Sequence, residues 1–295
     1  MNKKIIGIIG KGFVGSAVAH GFSNSTGYDS EILIYDKDTT KSLNDLEEVV
    51  SRSEIVFISV PTPSNPDGTI NLKNLEECLF EINQTVKETS CDQAIYLIRS
   101  TVLPGTSRNM QEKFPSLKIV FNPEFLTERS AFFDFISQTR IILGGPKNYV
   151  KKVKELYQDR FSKTQNFIET TFESAELIKY TCNTFFATKV SFLNEIKILC
   201  DICGADWNIV RDGFLSDGRI GDSHSLVPGP DGKLGFGGSC FPKDIQALIN
   251  FGNQNGVSLN VLEGAWKTNL KVRPEKDWEK LKGRAVTEKN DLDEK

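Results

Sequence analysis

Short, near-continuous apolar runs punctuate the first half of the chain: Ile5–Ile9, Ile32–Tyr35, Ile55–Val60, Ala94–Ile98, Ile119–Phe121 and Arg140–Leu143. Most are rich in Ile and Val, the pattern of strands buried on both faces of a parallel sheet. Between them, Leu72–Lys87 and Asn148–Phe161 carry helical spacing. Strand and helix in alternation predict a doubly wound α/β domain over residues 1–170. The texture then changes. Thr170-x-x-Glu173 reads as a capping box, and no Gly or Pro interrupts the chain from there to Cys203. A long central helix is predicted, carrying a helical domain over residues 171–270. A glycine-rich segment, Gly218–Gly238, precedes a shorter predicted helix from Pro242 to Phe251. Fifteen of the last 25 residues are charged, so residues 271–295 are expected to be an exposed helix or a disordered tail.

Composition narrows the field by exclusion. With 39% apolar and 25% charged residues, the 295-residue chain has the make-up of a soluble globular protein. Its net charge of -3 gives no basis for a nucleic-acid partner or an anionic membrane surface. No apolar run approaches the roughly 20 residues that span a bilayer. The opening MNKKIIGIIG runs into a glycine motif rather than a cleavage site, so it reads as a first strand, and a cytoplasmic location is expected. Six scattered cysteines do not make a disulfide framework, and His20 and His224 stand in no metal-ligand spacing. Cys200 and Cys203 form a CxxC within the long helix, with no second pair to complete a zinc site. No metal is expected.

Gly10-Lys11-Gly12-Phe13-Val14-Gly15 follows the first strand and opens a helix, and Asp36 ends the second strand 21 residues beyond Gly15. The first glycine allows a tight turn, the second lets backbone approach a pyrophosphate, and the third lets helix pack on sheet. The helix start at Phe13 and Val14 offers free N–H groups and the positive dipole end to phosphate. Asp36 suits the adenosine ribose hydroxyls and repels the extra phosphate of NADP. A Rossmann domain binding NAD is predicted. The plain alternative is a tight strand–helix turn without a ligand.

In the second half, Gly235-Phe236-Gly237-Gly238-Ser239-Cys240-Phe241-Pro242-Lys243-Asp244 places a cysteine at a helix start, with Pro242 suited to the first turn. The helix dipole and Lys243 both favour thiolate over thiol. A thiolate is what a dehydrogenase needs to hold an aldehyde covalently. The segment alone fits equally a structural cysteine in an anion-binding loop.

With these motifs, the chain closely resembles the UDP-glucose/GDP-mannose dehydrogenase family. The resemblance rests on GKGFVG, VPTP at Val60–Pro63, STVLPGT at Ser100–Thr106, NPEFLTE at Asn122–Glu128, AELIKYTCN at Ala175–Asn183 and GFGGSCFPKD, in that order over residues 4–265. It implies oxidation of a sugar's primary alcohol to a carboxylate with two NAD per turnover, on a nucleotide-sugar substrate, within polysaccharide biosynthesis. It also implies a homodimer built on the long central helix, whose apolar residues occupy much of its circumference. By the same resemblance Cys240 is the nucleophile, and Lys179 and Asn183 stabilise the oxyanion; their i,i+4 spacing independently puts both on one helical face. Asp244 and Thr101 match residues that position or activate water, and Glu124 a general acid/base. Val60, Pro61, Thr62, Thr101 and Glu128 fall among the cofactor contacts. Phe125, Leu126, Gly235, Phe236, Gly237 and Gly238 fall among the substrate contacts. Lys41, five residues past Asp36, is a candidate for the adenosine phosphate region, or a plain surface lysine.

Plain alternatives exist for the others too. Lys179 and Asn183 also suit a solvated helix face, Glu124 a favourable charge at a helix N-terminus, and Thr101 a strand-end hydroxyl bonded to backbone. The chain departs from the family pattern in two places. The family continues into a third, nucleotide-gripping domain, which the last 25 residues hold too little apolar surface to form. An insert, Ser223–Lys233, also lies ahead of the GGSC loop. Two other readings therefore stand beside the sugar-nucleotide enzyme: a two-electron dehydrogenase of the β-hydroxyacid type on a smaller substrate, and a non-catalytic NAD-binding remnant.

Overall fold

Each apolar run of the first half becomes a strand of one sheet. In chain order the elements are β1 (Lys4–Ile9), α1 (Phe13–Gly21), β2 (Ser30–Tyr35), α2 (Leu46–Arg52), β3 (Ile55–Ile58), α3 (Lys73–Thr89) and β4 (Ile95–Ile98). They continue as α4 (Thr106–Lys113), β5 (Lys118–Phe121), α5 (Ala131–Ile136), β6 (Arg140–Gly144), α6 (Lys147–Arg160) and β7 (Asn166–Thr170). Four helices follow: α7 (Phe172–Cys203), α8 (Trp207–Leu215), α9 (Phe241–Gln254) and α10 (Asn260–Val272). The computed structural model describes residues 3–288.

The strands lie in the order β2-β1-β3-β4-β5-β6-β7, and every pairing is parallel except β5 with β6. This is the doubly wound α/β sheet the sequence predicts. Strand residues alternate between two apolar layers. Ile9, Ile58, Ile98 and Phe121 pack with Val49, Leu79 and Met110 of α2, α3 and α4. Ile8, Phe57, Leu97 and Val120 pack with Val18, Phe135 and Tyr157 of α1, α5 and α6. Burying such side chains contributes about 1.5–3 kcal/mol each, which is why the central strands tolerate no polar residue. Strand β7 was not legible as an apolar run because it is the half-exposed edge.

The helix α7 starts one residue later than the capping box suggests. Thr170 ends β7, and Thr171 caps the helix instead, its Oγ1 accepting from the Ser174 N–H at 3.3 Å. Glu173 turns to Arg108, whose Nη2 donates to it at 3.1 Å.

By packing, the chain divides into two compact units whose division falls within α7. The first unit takes the chain up to Thr62 with Leu72–Lys179; the second takes Pro63–Asn71 and the chain from Tyr180 onward. The second unit has two small cores. One gathers Ala187, Val190, Phe236, Ile245 and Ala265; the other gathers Leu193, Cys200, Trp207 and Val227. Cys200 is thus core, and Cys203 carries no disulfide.

Residues 271–288 are not the exposed or disordered tail their composition suggests; residues 289–295 lie outside the described residues. Trp278 is buried beside Trp266 at a ring separation of 5.4 Å, and Ala285 is also buried. The Ser64 N–H donates to the Ala285 carbonyl at 2.9 Å, and the Thr287 N–H donates back to the Ser64 carbonyl at 2.9 Å. The charges pair with one another. Arg273, 2% exposed, donates from Nη2 to Asp231 at 2.7 Å and to Asp277 at 2.6 Å, and from Nη1 to the Leu234 carbonyl at 3.3 Å. Few apolar residues suffice because each is placed where it is covered.

Asp231 belongs to the 223–233 insert, so Arg273 ties that insert to the segment after α10. Arg273→Met should cost about 2–3 kcal/mol, since it strands two carboxylates that are only partly exposed. Asp231→Ala alone should cost below about 1 kcal/mol. Thermal melts of the two variants check the contrast; equal effects would mean that Arg273 contributes through Asp231 alone and strands no second carboxylate.

Candidate active site

The first unit presents a cradle at the carboxyl ends of its parallel strands, where β1 and β3 diverge in connection and ligands bind in such sheets. Gly10 leaves β1 with φ +89°, and its N–H donates to the Tyr35 carbonyl at 3.0 Å. A Cβ on Gly15 would lie 2.0 Å from the Gly10 carbonyl oxygen, so helix and turn touch there. Gly12 is different: a Cβ there would meet nothing within 4 Å. It is the N-cap of α1 and offers no side-chain cap, leaving the N–H groups around Phe13 and Val14 for an external acceptor. The turn is therefore open where a pyrophosphate would approach.

Asp36 is half-buried at the end of β2. Its Oδ2 accepts from the Lys11 N–H at 2.6 Å and its Oδ1 from the Asp38 N–H at 2.8 Å, so it also locks the glycine turn. Lys41 is exposed and bound to Asp38 at 2.9 Å. The loops after β3 and β4 are laced together. Ser100 Oγ donates to the Val60 carbonyl at 2.6 Å, and Thr62 Oγ1 donates to the Thr101 carbonyl at 2.8 Å. Asn74 Nδ2 donates to the Pro61 carbonyl at 3.2 Å. Thr101 is half-buried and Glu128 is exposed.

The loop after β5 carries Glu124, which is 5% exposed. Lys179, 3% exposed on α7, donates from Nζ to the Glu124 carbonyl at 2.7 Å and to Oε1 at 2.8 Å. Oε2 accepts from the Leu126 N–H at 2.7 Å. Burial would push this carboxyl up, but Lys179, the Leu126 N–H and the charge of Arg99 outweigh it and hold Glu124 below the ordinary glutamate range. Phe125 sits under two cations, Arg140 at 4.5 Å and Lys179 at 5.4 Å from its ring centre. The solvated-face alternative for Lys179 is thereby set aside. Leu126 is half-buried on the same loop.

Glu176, fully buried one turn before Lys179, is a residue the sequence reading missed. Its Oε2 and Oε1 accept from the Gly105 and Ser107 N–H groups at 2.7 Å each, capping α4. Burial nevertheless pushes its carboxyl above the ordinary range. The available signal was Gly105, an N-cap without a side chain, which obliges another residue to supply the acceptor.

In the second unit Cys240 is the N-cap of α9, half-buried, with Ser239 Oγ 3.7 Å from its sulfur. Asp244, fully buried in the first turn, accepts from Asn183 Nδ2 at 2.6 Å on Oδ2 and from Lys243 Nζ on Oδ1. Lys243, which the sequence placed as a charge favouring the Cys240 thiolate, thus spends its bond on Asp244. The glycine loop ahead of Cys240 is pinned by two buried asparagines that the sequence did not single out. Asn194 Oδ1 accepts from the Gly235 N–H at 3.1 Å. Asn269 Oδ1 accepts from the Phe236 N–H at 2.7 Å while its Nδ2 donates to the Phe236 carbonyl at 3.0 Å. Phe236 is buried, Gly237 half-buried and Gly238 exposed. Among the described residues no group of three or more His, Cys, Asp or Glu could hold a metal ion, and no helix is long and apolar enough to cross a membrane.

Residues 40–161 match the NAD binding domain of the UDP-glucose/GDP-mannose dehydrogenase family, and residues 173–271 match its central domain. The UDP-glucose 6-dehydrogenase of Haloferax volcanii is 30% identical over 303 residues, covering 90% of this chain and 69% of that protein. That of Rickettsia prowazekii is 34% identical over 244 residues, covering 81% of this chain and 54% of that protein. Among solved structures, a UDP-glucose dehydrogenase from the archaeon Pyrobaculum islandicum superposes with a TM-score of 0.80 at 27% identity, covering 92% of this chain and 68% of that one. The chain belongs to the UDP-glucose/GDP-mannose dehydrogenase family and carries its NAD-binding domain. It spans about half the length of the first curated relatives it matches, 54% of the Rickettsia prowazekii protein and 49% of that from Bacillus subtilis.

Proposed function

We propose that the chain is an NAD-dependent dehydrogenase that oxidises the primary alcohol of a nucleotide sugar, UDP-glucose-like, to the uronic acid through a covalent intermediate on Cys240. The observation that carries this reading is the buried chain Asn183–Asp244–Lys243, whose last two members lie in the first turn of the helix that Cys240 opens, with Asn183 reaching them from α7. Burying ionisable groups is costly, and a fold that retains them beside a thiol has a use for them.

Gly10, Gly12, Phe13, Val14, Gly15 and Asp36 would hold NAD, with Lys41, Val60, Pro61, Thr62, Thr101 and Glu128 as its further contacts. Bound there, NAD accepts two electrons from each oxidation. The protein's own part begins at the aldehyde stage. Cys240 sulfur forms a bond to the aldehyde carbon, and the carbonyl oxygen becomes an oxyanion stabilised by Lys179 and Asn183 and takes up a proton, giving a thiohemiacetal. Loss of two electrons and two protons, one from the carbon and one from the hydroxyl, converts it to a thioester. Water then adds, the C–S bond breaks, and the carboxylate leaves with the thiol restored. Asp244 and Thr101 position that water, and Glu124, held ionised, is the general acid/base. Phe125, Leu126, Gly235, Phe236, Gly237 and Gly238 contact the sugar nucleotide. The test is the NADH yield per UDP- or GDP-sugar consumed, read by absorbance. Two NADH per sugar are expected; one per substrate would move the reading to a two-electron enzyme, and none with any sugar would remove it.

We also infer a homodimer through α7. Phe185, Phe192 and Leu199 recur every seven residues and are 63%, 48% and 57% exposed, joined by Ile202 at 76%. Such an apolar seam suits a second helix. Sedimentation should give twice the chain mass, and Phe185→Glu with Phe192→Glu should return a single chain. A wild-type protein of single-chain mass at micromolar concentration would sink the inference.

A further inference from the structure

Arg99 follows β4 directly and is 3% exposed, yet its donors face neutral oxygens instead of a carboxylate. Nη1 donates to Asn122 Oδ1 at 2.5 Å and to the Tyr157 hydroxyl at 3.3 Å. The Tyr157 hydroxyl in turn donates to Asn122 Oδ1 at 2.6 Å. Nε has no partner, and the guanidinium lies 5.7 Å from the ring centre of Phe135. A buried cation without its own counter-ion is among the costlier things a core contains, and a methionine would fill the same space without that cost.

The neighbours of Arg99 suggest what the charge is for. Asn122 is fixed on three sides: its N–H donates to the Ile98 carbonyl at 2.9 Å, its Nδ2 to the Ile142 carbonyl at 2.9 Å, and its oxygen receives Arg99 and Tyr157. Pro123 follows, and then Glu124. The turn that presents Glu124 therefore hangs from a carboxamide that Arg99 orients. We propose that Arg99 is a positioning residue for Glu124: it fixes the Asn122–Glu124 turn through Asn122, and its buried charge is the second cation, after Lys179, against which the Glu124 carboxylate is set.

The other ionisable groups nearby do not replace it. Lys179 bonds Glu124 directly, and Glu176 is turned to the N-terminus of α4. Arg140 stacks on Phe125. Burial pushes the Tyr157 hydroxyl up to about 12, so it is neutral. Glu128 on the same loop is exposed. The charge of Arg99 is one of the influences holding the Glu124 carboxyl low.

The inference rests on the acid/base role proposed for Glu124, but its test does not need turnover. The Glu124 carboxyl is followed by carbon-13 NMR in glutamate-labelled protein, with its signal assigned by loss in Glu124→Gln. In the wild type it should titrate below the ordinary glutamate value. In Arg99→Met the midpoint should rise by about one pH unit, tenfold in the ionisation constant, while Arg99→Lys keeps it low. The low-pH limb of kcat/KM should move with it. A wild-type midpoint at or above the ordinary value overturns the inference whether or not any variant folds. So does an unchanged midpoint in Arg99→Met, or in Arg99→Gln should Met not fold, or an equal rise in Arg99→Lys. If the midpoints behave as expected but no sugar nucleotide is oxidised, Arg99 stands and the proposed function falls.

Discussion

Replacing Cys240 with alanine is expected to abolish uronic acid formation while leaving the fold and NAD binding intact. Cys240 is the N-cap of α9 but supplies no side-chain cap, and it is only half-buried. Its loss therefore removes no helix-capping bond. The chemistry, by contrast, has no substitute: without the sulfur there is no thiohemiacetal to oxidise. A fall in the rate of acid production of about three orders of magnitude or more is expected, the scale on which loss of a covalent nucleophile acts. Product analysis by NMR of a reaction run with NAD and the sugar nucleotide decides it. Undiminished acid from Cys240→Ala would remove the covalent mechanism while leaving the cofactor assignment in place.

The largest effect on stability is expected at Glu124 and Lys179. Both side chains are nearly fully buried, 6% and 4% exposed, and each is the other's partner at 2.8 Å. Removing one leaves an uncompensated buried charge, so Glu124→Gln and Lys179→Met should each cost about 3–5 kcal/mol. The joint replacement Glu124→Leu with Lys179→Met should recover much of that, because no charge is stranded. The effect of pH follows from the direction of the Glu124 shift. A carboxyl held low contributes stability that is fully present above the unfolded glutamate value, near pH 4.3, and is lost as pH falls through the lower folded value. Denaturant melts between about pH 6 and pH 3 should therefore show the gap between wild type and Glu124→Gln closing below about pH 4.3. A gap constant over that range would mean that Glu124 is not held low.

The sheet was legible because its central strands are buried on both faces, so each writes itself as a run of Ile, Val and Phe. The glycine turn was legible for a similar reason, since its steric duty is one that few residues perform; Asp36 was legible as the acid ending β2, but the bonds by which it locks that turn were not. What escaped is pairing. Lys243 beside Cys240 looks like an electrostatic aid to the thiol until the fold shows it bound to Asp244. Arg99, Glu176, Asn194 and Asn269 act through partners from 23 to 71 residues away, and nothing in their local spacing announces those partners. The charged last segment misled for the opposite reason. Its composition is that of a solvated chain, but Trp278 and Ala285 are covered and Arg273 has its carboxylates.

The short Pro63–Asn71 segment belongs to the second unit although it is synthesised before most of the first. Its partner Thr287 lies 223 residues downstream of Ser64. On a ribosome the second unit therefore cannot close until nearly the whole described chain has emerged, while the sheet of the first unit has its strands in hand far earlier. The same threading governs how the chain is best divided. A fragment begun at the start of α7 would lack the early segment that Ala285 and Thr287 bond to, so a cut at the apparent boundary would yield an incomplete half.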